Sequence, residues 1–275
     1  MNTTNSMVSV IVPTKNSSQT LEQCLQSIRN QSYKNIEIVV VDNHSHDSTK
    51  DIAKKYSDKV FNAGPERSAQ RNFGANQSSG QYLLIIDSDM VLSEKVIENC
   101  VEKIQTHNLI QGIIIPEESF GQGFWSQCKK LERSFYLEVD WMEGARFFAK
   151  DNFLKAGGFD INMVSGEDWD LSRRIEANGR LERINDFIYH NEGKINLGQT
   201  IKKKFYYAEK FINYAQTNKT TEKFKKQTNI ISRYKLFFSQ PIRLFRHPLI
   251  GLGMLFMKTC EFFFGGAGYL IKKLS

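Results

Sequence analysis

Residues 8 to 13 read Val-Ser-Val-Ile-Val-Pro, and residues 36 to 42 read Ile-Glu-Ile-Val-Val-Val-Asp. Both runs are short, β-branched and nearly continuous in apolar character, the pattern of parallel strands covered on both faces. Between them Leu21, Cys24, Leu25 and Ile28 recur at spacings of three and four. That periodicity predicts an amphipathic helix from Thr20 to Asn30 and completes a βαβ unit. The alternation continues with a helix from Ser48 to Tyr56, opened by a capping box in which Asp51 reaches back, and a short strand from Lys59 to Phe61. A helix from Ser68 to Gln77, a buried strand from Tyr82 to Asp87, a helix from Ser93 to Gln105 and a strand from Gln111 to Pro116 follow. The fold class is therefore α/β, a doubly wound, mostly parallel sheet with flanking helices, whose ligands bind beyond the carboxyl ends of the strands.

After Pro116 the pattern weakens into an aromatic stretch (Phe120, Phe124, Trp125, Phe135, Tyr136, Trp141). A strand is expected at Ala145 to Ala149, and a short helix at Asp151 to Ala156 closed by Gly157 and Gly158. A longer helix from Glu167 to Asn178, with Gly179 as its left-handed terminator, and a last strand from Phe187 to His190 complete the series. A chain of 275 residues buries a sizeable core without staples, and 40 % hydrophobic with 24 % charged residues excludes wholesale disorder and fibrous classes. The four cysteines (Cys24, Cys100, Cys128, Cys260) lie far apart with no zinc-finger spacing, and read as reduced thiols. Met1 to Met7 has neither the basic start nor the apolar run of a signal peptide, which points to the cytoplasmic side.

The chemistry-bearing residues stand just after the strands. Asp87-Ser88-Asp89 places two carboxylates at the sheet edge, where one or two of them and substrate phosphates hold a hard cation such as Mg²⁺ or Mn²⁺. The bland alternative is a solvated turn. Asp42 opens the polar loop Asn43 to Asp47 and is suited to the amide edge of a pyrimidine or a ribose hydroxyl, or else to an Asx-turn. Asp47 reads as a helix cap. Arg67 and Arg71 share one face of a helix near its N-terminus, a geometry for a diphosphate, with Arg71 preferred; the alternative is a pair of surface arginines. Gly166-Glu167-Asp168-Trp169-Asp170 sets three carboxylates at a helix start, crowded enough to raise one pKa and supply a general base. His190 would add a nitrogen ligand to the cation, or serve as a buried structural histidine.

In order and in type these residues resemble inverting glycosyltransferases of family 2 with the GT-A fold, over about residues 7 to 192. V-S-V-I-V-P-T-K-N resembles the opening strand, I-V-V-V-D-N-H-S-H-D-S-T the nucleoside-binding strand end, R-S-A-Q-R-N-F-G-A the helix whose Arg approaches the nucleotide, L-I-I-D-S-D-M the Asp-x-Asp metal motif, and G-E-D-W-D-L-S-R-R the acceptor-side motif. The resemblance implies that Asp42 contacts a uracil-type base, Asp87 the ribose or sugar, and Asp89 the metal on the diphosphate, with Asp168 the catalytic base beside Glu167. By the same analogy Pro13 and Lys15 line the nucleotide pocket, and His190 matches a late histidine near the metal. Many relatives carry two consecutive acids where this chain has Asp42-Asn43, which weakens the reading of the base.

The implied function is single displacement at the anomeric carbon, with inversion, from a nucleotide-sugar donor, UDP-linked by the resemblance, to a hydroxyl of a lipid-linked or cell-surface glycan. The alternatives are a polyprenyl-phosphate sugar synthase, whose ionised acceptor needs no base, and a non-catalytic membrane-bound nucleotide-sugar binder. A sugar-nucleotide pyrophosphorylase would want a Gly-rich, Arg-containing loop where this chain has Thr14-Lys15-Asn16-Ser17-Ser18. The expected organisation is a catalytic domain over 1–197, its nucleotide-binding half at about 7–116 and acceptor half at about 117–197, followed by a basic, aromatic helical region over 198–275. Residues 201 to 275 hold 15 Lys/Arg against 3 Asp/Glu. That composition suits an anionic membrane surface at the cytoplasmic leaflet; no nucleic-acid motif occurs, and nucleic acid is not an expected partner. Pro248 to Ile271 is long enough to span a bilayer, but Lys258 and Glu261 stand in its middle, which favours an interfacial or hairpin segment. Oligomeric state is not legible in the sequence.

Overall fold

A computed structural model describes residues 6–274, without the side chains of residues 209 and 272–274. The signal-peptide reading of Met1 to Met7 and the end of the tail, Lys272 to Ser275, therefore fall largely outside what is described. In chain order the elements are β1 (Val8–Thr14), α1 (Leu21–Arg29), β2 (Ile36–Asp42), α2 (Thr49–Tyr56), β3 (Lys59–Asn62), α3 (Arg67–Gln77), β4 (Tyr82–Ile85), β5 (Met90–Leu92), α4 (Val96–Gln105) and β6 (Ile110–Ile114). They continue with β7 (Glu117–Gln122), α5 (Phe124–Ser134), β8 (Ala145–Ala149), α6 (Lys150–Lys155), α7 (Glu167–Glu176), β9 (Arg180–Arg183) and β10 (Ile188–Lys194). Six helices close the chain: α8 (Leu197–Lys210), α9 (Ile212–Asn218), α10 (Glu222–Thr228), α11 (Ile230–Phe238), α12 (Pro241–Phe245) and α13 (Pro248–Leu274).

The first compact unit comprises the chain up to Glu117, Gly144–Ile161 and Glu167–His190. Its seven-stranded sheet runs β3-β2-β1-β4-β8-β6-β9. β1 pairs in parallel with β2 and β4, β2 with β3, and β6 with β9; β8 lies antiparallel between β4 and β6. Successive side chains of a strand point to opposite faces, so a run buried at every position feeds two cores. Val8, Val10 and Val12 join Leu25, Ile28, Ile97 and Val101 on one side, while Ile11, Val39 and Val41 join Phe148, Phe153 and Leu171 on the other. The GT-A-type α/β expectation is met.

Three local readings are corrected. α2 has no capping box through Asp51; Asp47 accepts from the Thr49 amide at 3.1 Å and its hydroxyl at 2.5 Å instead. Met90–Leu92, Glu117–Gln122 and Arg180–Arg183 are strands too short or too polar to register as apolar runs. Gly179 is not left-handed; a side chain there would strike the Leu109 carbonyl and Gln111, so close approach explains the glycine. Gly157 and Gly158 do adopt positive φ, +82° and +64°, at the end of α6, as expected.

The second unit comprises Glu118–Glu143, Asn162–Gly166 and Asn191–Ser275. This unit is thus built from three separate stretches of chain. The reason is α5: its Cys128, with Phe135 just beyond it, shares one apolar cluster with Phe237, Leu244, Met254 and Met257 from the C-terminal helices. Lys258 and Glu261 are buried in this unit. Lys258 Nζ donates to Glu132 Oε1 at 2.6 Å and to Glu261 Oε2 at 2.8 Å, and Lys129 pairs with Glu132 at 2.8 Å.

Candidate active site

Three strand ends meet at one edge of the first unit. Ser88 Oγ donates to Ser17 Oγ at 2.9 Å, tying the loop after β4 to the loop after β1. The Asn16 amide donates to Ser45 Oγ at 2.7 Å, and Asn16 Oδ1 accepts from the His46 amide at 3.0 Å, tying the loops after β1 and β2. Gln70 of α3 spans the same ends, its Nε2 donating to the Thr14 and Val41 carbonyls at 2.9 and 2.6 Å.

The sequence assigned Asp42 to base recognition, but its side chain is fully enclosed. Oδ1 accepts from Thr14 Oγ1 at 2.8 Å and Ser45 Oγ at 2.5 Å, and Oδ2 accepts from the Ser45 amide at 2.8 Å. Asp42 thus supports an Asx-type loop through three hydrogen bonds from the chain itself. Pro13 is buried in β1, and Lys15 is exposed beside the loop.

Arg71 is the hub. Nη2 donates to Asp87 Oδ1 at 2.7 Å, and Nη1 to Asp168 Oδ1 at 3.0 Å and Glu167 Oε1 at 3.4 Å. Its guanidinium lies 4.9 Å from the centre of the Phe159 ring, a segment clamped by Asn72, which exchanges hydrogen bonds of 2.7 and 2.8 Å with the Phe159 backbone. Arg71 is 0 % exposed, whereas Arg67, 3.8 Å from Asp87 and 3.5 Å from Glu167, is 44 % exposed. A guanidinium with no accessible surface, paired through Nη1 and Nη2 with three carboxylates while its Nε has no hydrogen-bond partner, orders the acids, and Arg67 presents charge to solvent.

The electrostatics follow from this pairing. Burial opposes ionisation of Asp87, but Arg71, Arg67 and Arg146 outweigh it and hold its carboxyl well below the usual range. Burial likewise opposes the charge on Arg71, and Asp87, Asp168 and Glu167 over-compensate. For Glu167 burial, then the neighbouring Asp168 charge, raises the carboxyl above its ordinary value against the pull of Arg71 and Arg67. Adjacent carboxylates therefore differ: Glu167 is buried, while Asp168 is 33 % exposed at the positive end of α7. Ser172 fixes that end, accepting from the Ala145 amide at 2.9 Å and donating to the Asp168 carbonyl at 2.7 Å. Asp170, the third acid of the motif, is structural: it pairs with Arg174 at 2.7 Å, and Arg174 also donates to the Gly158 carbonyl at 2.7 Å.

Arg146, on β8, is a site residue the sequence reading missed. It pairs with Glu117 at 2.6 Å and approaches Asp168 Oδ2 at 3.9 Å. The available signal was an arginine inside the apolar run Ala145 to Ala149.

Register brings His190 to Asp89, because β10 pairs antiparallel with β5 and sets His190 opposite Met90. His190 Nε2 lies 3.2 Å from Asp89 Oδ2, while Asp89 Oδ1 is buried without a hydrogen-bond partner. A buried acceptor left open beside an imidazole fits a divalent cation whose remaining ligands come from phosphates. Asp87 is turned toward Arg71 instead, and among the described residues no group of three side chains is assembled to hold a metal alone.

The sequence profile for glycosyl transferase family 2 matches residues 9–162. The chain is 41 % identical over 105 residues to glycosyltransferase GlyA of Streptococcus pneumoniae, covering 35 % of this chain and 15 % of that protein. It is 25 % identical over 217 residues to the GalNAc(5)-diNAcBac-PP-undecaprenol beta-1,3-glucosyltransferase of Campylobacter jejuni, covering 75 % and 64 %. The chain thus spans less than two thirds of the length of either relative. Among solved structures, the mannosyltransferase PcManGT of Pyrobaculum calidifontis, in complex with GDP-Man and Mn²⁺, aligns with TM-score 0.60 at 16 % identity, over 90 % of this chain and 74 % of that one. TarS of S. aureus, in complex with UDP-GlcNAc, aligns with TM-score 0.54 at 16 % identity, over 98 % and 92 %. At such identities the likeness is one of fold. A profile match that starts inside β1 and ends just before α7, on a sheet of this topology, makes the chain a member of glycosyl transferase family 2.

Proposed function

We propose that the chain transfers a sugar, with inversion, from a nucleotide-sugar donor to a hydroxyl of a lipid-linked or cell-surface glycan. The observation that carries this reading is the gathering of Asp87, Glu167 and Asp168 around Arg71 within 2.7 to 3.4 Å, next to the Asp89 and His190 pair. Asp168, the exposed member, removes the proton from the acceptor hydroxyl as the oxygen attacks the anomeric carbon from the face opposite the leaving group. Glu167, buried beside it, has its carboxyl raised above the ordinary value by burial and by the Asp168 charge. Arg71 holds Asp168 and Asp87 in place, and Arg67 faces the departing diphosphate. Asp87 meets the ribose or sugar. Pro13 and Lys15 line the nucleotide pocket, with the loop that Asp42 supports. Mg²⁺ or Mn²⁺, held by Asp89 and His190, would supply positive charge to the diphosphate leaving group. A uridine donor is favoured by the family resemblance, and the fold is shared with a TarS that binds UDP-GlcNAc.

The acceptor is assigned to lipid-linked glycans because the Campylobacter jejuni relative is named for an undecaprenol-linked acceptor and the C-terminal helices are strongly basic. The chain accordingly works bound peripherally to the cytoplasmic leaflet. A panel of nucleotide sugars with Mn²⁺ or Mg²⁺, scored for nucleoside diphosphate release with and without an undecaprenol-linked glycan, tests this. Release that depends on donor, metal and acceptor is expected. Donor binding without turnover under every condition would leave only a binding protein.

A further inference from the structure

α13 is apolar on two sides, and only one of them is covered. Gly251, Met254, Met257, Lys258 and Glu261 are buried, whereas Leu249, Leu252, Phe256, Phe263 and Leu270 are exposed, Leu249 by 76 % and Phe263 by 71 %. The exposed positions recur at intervals of three, four and seven, which places them on one stripe along a helix of 27 residues, about 40 Å long. The short α12 that precedes it adds Ile242, 87 % exposed, and Phe245. A soluble chain seldom leaves so continuous an apolar row in water.

The covered side excludes a spanning orientation. Lys258 is fixed by Glu132 of α5 at 2.6 Å and by Glu261 at 2.8 Å, so α5 must accompany α13. α8 packs along the glycine-rich end of α13: a methyl on Gly268 would stand 2.7 Å from the Phe205 carbonyl oxygen, and one on Gly265 4.0 Å from Ala208 Cβ. α8 carries exposed Lys202 and Lys203, and hydrocarbon would strip both of water. A helix held this way lies flat, stripe outward.

Charge selects the occupant. Residues 201 to 275 carry 15 basic against 3 acidic residues, and although Lys258 and Arg233 are buried the region stays strongly positive, so two copies of it repel each other and an anionic surface attracts it. Arg243 and Arg246, with Ser239, Gln240, Pro241 and Ile242, line an open hollow of about 470 Å³. Two guanidiniums beside an exposed isoleucine suit a phosphate headgroup with its acyl chain.

We propose that the stripe Leu249, Leu252, Phe256, Phe263 and Leu270 lies in the headgroup–acyl boundary of an anionic phospholipid bilayer, parallel to its plane, with Arg243 and Arg246 on headgroup phosphates. This deepens the membrane partner proposed above and rests on that reading only for the purpose of the docking.

Flotation of the full chain with phosphatidylglycerol-containing vesicles and with pure phosphatidylcholine vesicles tests it. The chain is expected to float with the anionic vesicles and to be released by high salt and by alkaline carbonate. Leu252→Asp and Phe263→Asp each lower the bound fraction about tenfold, and Arg243→Ala and Arg246→Ala about fivefold each with loss of the anionic preference. Thermal unfolding and donor binding of each variant match the parent and show that it is folded. Flotation unchanged in the aspartate variants, or a chain that resists carbonate extraction as a spanning helix does, overturns the proposal. So does sedimentation of a dimer that Phe263→Asp dissolves while the parent ignores vesicles, since a second copy then covers the stripe. Donor turnover measured without vesicles separates the two readings: flotation without turnover sinks the transferase function alone, and turnover without flotation sinks the docking alone.

Discussion

Arg71 and Asp168, 97 residues apart in the chain, meet at 3.0 Å, and the arginine has no exposed surface there. A buried cation between three acids is worth most as an organiser. Removing one member of such a group strands the others as unpaired charges in a low-dielectric interior.

Arg71→Met should therefore destabilise the chain by about 3–5 kcal/mol, measured by urea unfolding. Arg71→Lys should recover part of that stability but little turnover, because one ammonium cannot reproduce the fork that reaches both Asp87 and Asp168. Equal recovery of both would show that charge alone suffices.

Asp168→Asn keeps the shape of the site and removes the base. Donor affinity by calorimetry should stay near the parent's, while transfer to a hydroxyl acceptor falls about a hundredfold or more. Full transfer by this variant would take the base assignment away from Asp168.

Chelation should abolish nucleoside diphosphate release, and Mn²⁺ should restore it. His190→Ala and Asp89→Ala should each raise the Mn²⁺ concentration needed for half-maximal rate, since His190 Nε2 lies 3.2 Å from Asp89 Oδ2 and Asp89 Oδ1 has no hydrogen-bond partner. A Mn²⁺ response identical to the parent's in both variants would remove these two from the metal's ligands.

The buried ion group of the second unit gives a pH signature. Burial works against Glu261, but Lys129, Lys258 and Lys204 bring its carboxyl down to about 2 from 4.5. A carboxyl whose folded pKa is depressed contributes stability that is complete above the unfolded value and lost as the pH falls through the folded one. Amide exchange in α13 should accelerate between about pH 4.5 and 2, and Glu261→Gln should flatten that dependence. Lys258→Met should cost about 3–5 kcal/mol at neutral pH, by leaving Glu132 and Glu261 short of a partner.

Much of the first unit was legible because its strands are buried on both faces and so read as unbroken apolar runs, and because loops after parallel strands are where chemistry collects. Asp87-Ser88-Asp89 could be singled out for that reason, and Glu167-Asp168 because three carboxylates crowd one helix start. The strands β5, β7 and β9 could not, because pairing rather than composition makes them strands. Nor could α5's place in the second unit, since the Phe135 and Phe237 rings that meet at 5.4 Å lie a hundred residues apart.

What the sequence determined by itself was local and periodic: which segments bury a face, where they stop, and which acids stand at their ends. Only the tertiary structure decided which of those charges are enclosed. It turned Arg71 inward, closed Asp42 within its own loop, recruited Arg146, and seated Lys258 on Glu132. Burial and pairing are set by partners that contact order brings from far along the chain, and no window of sequence contains them.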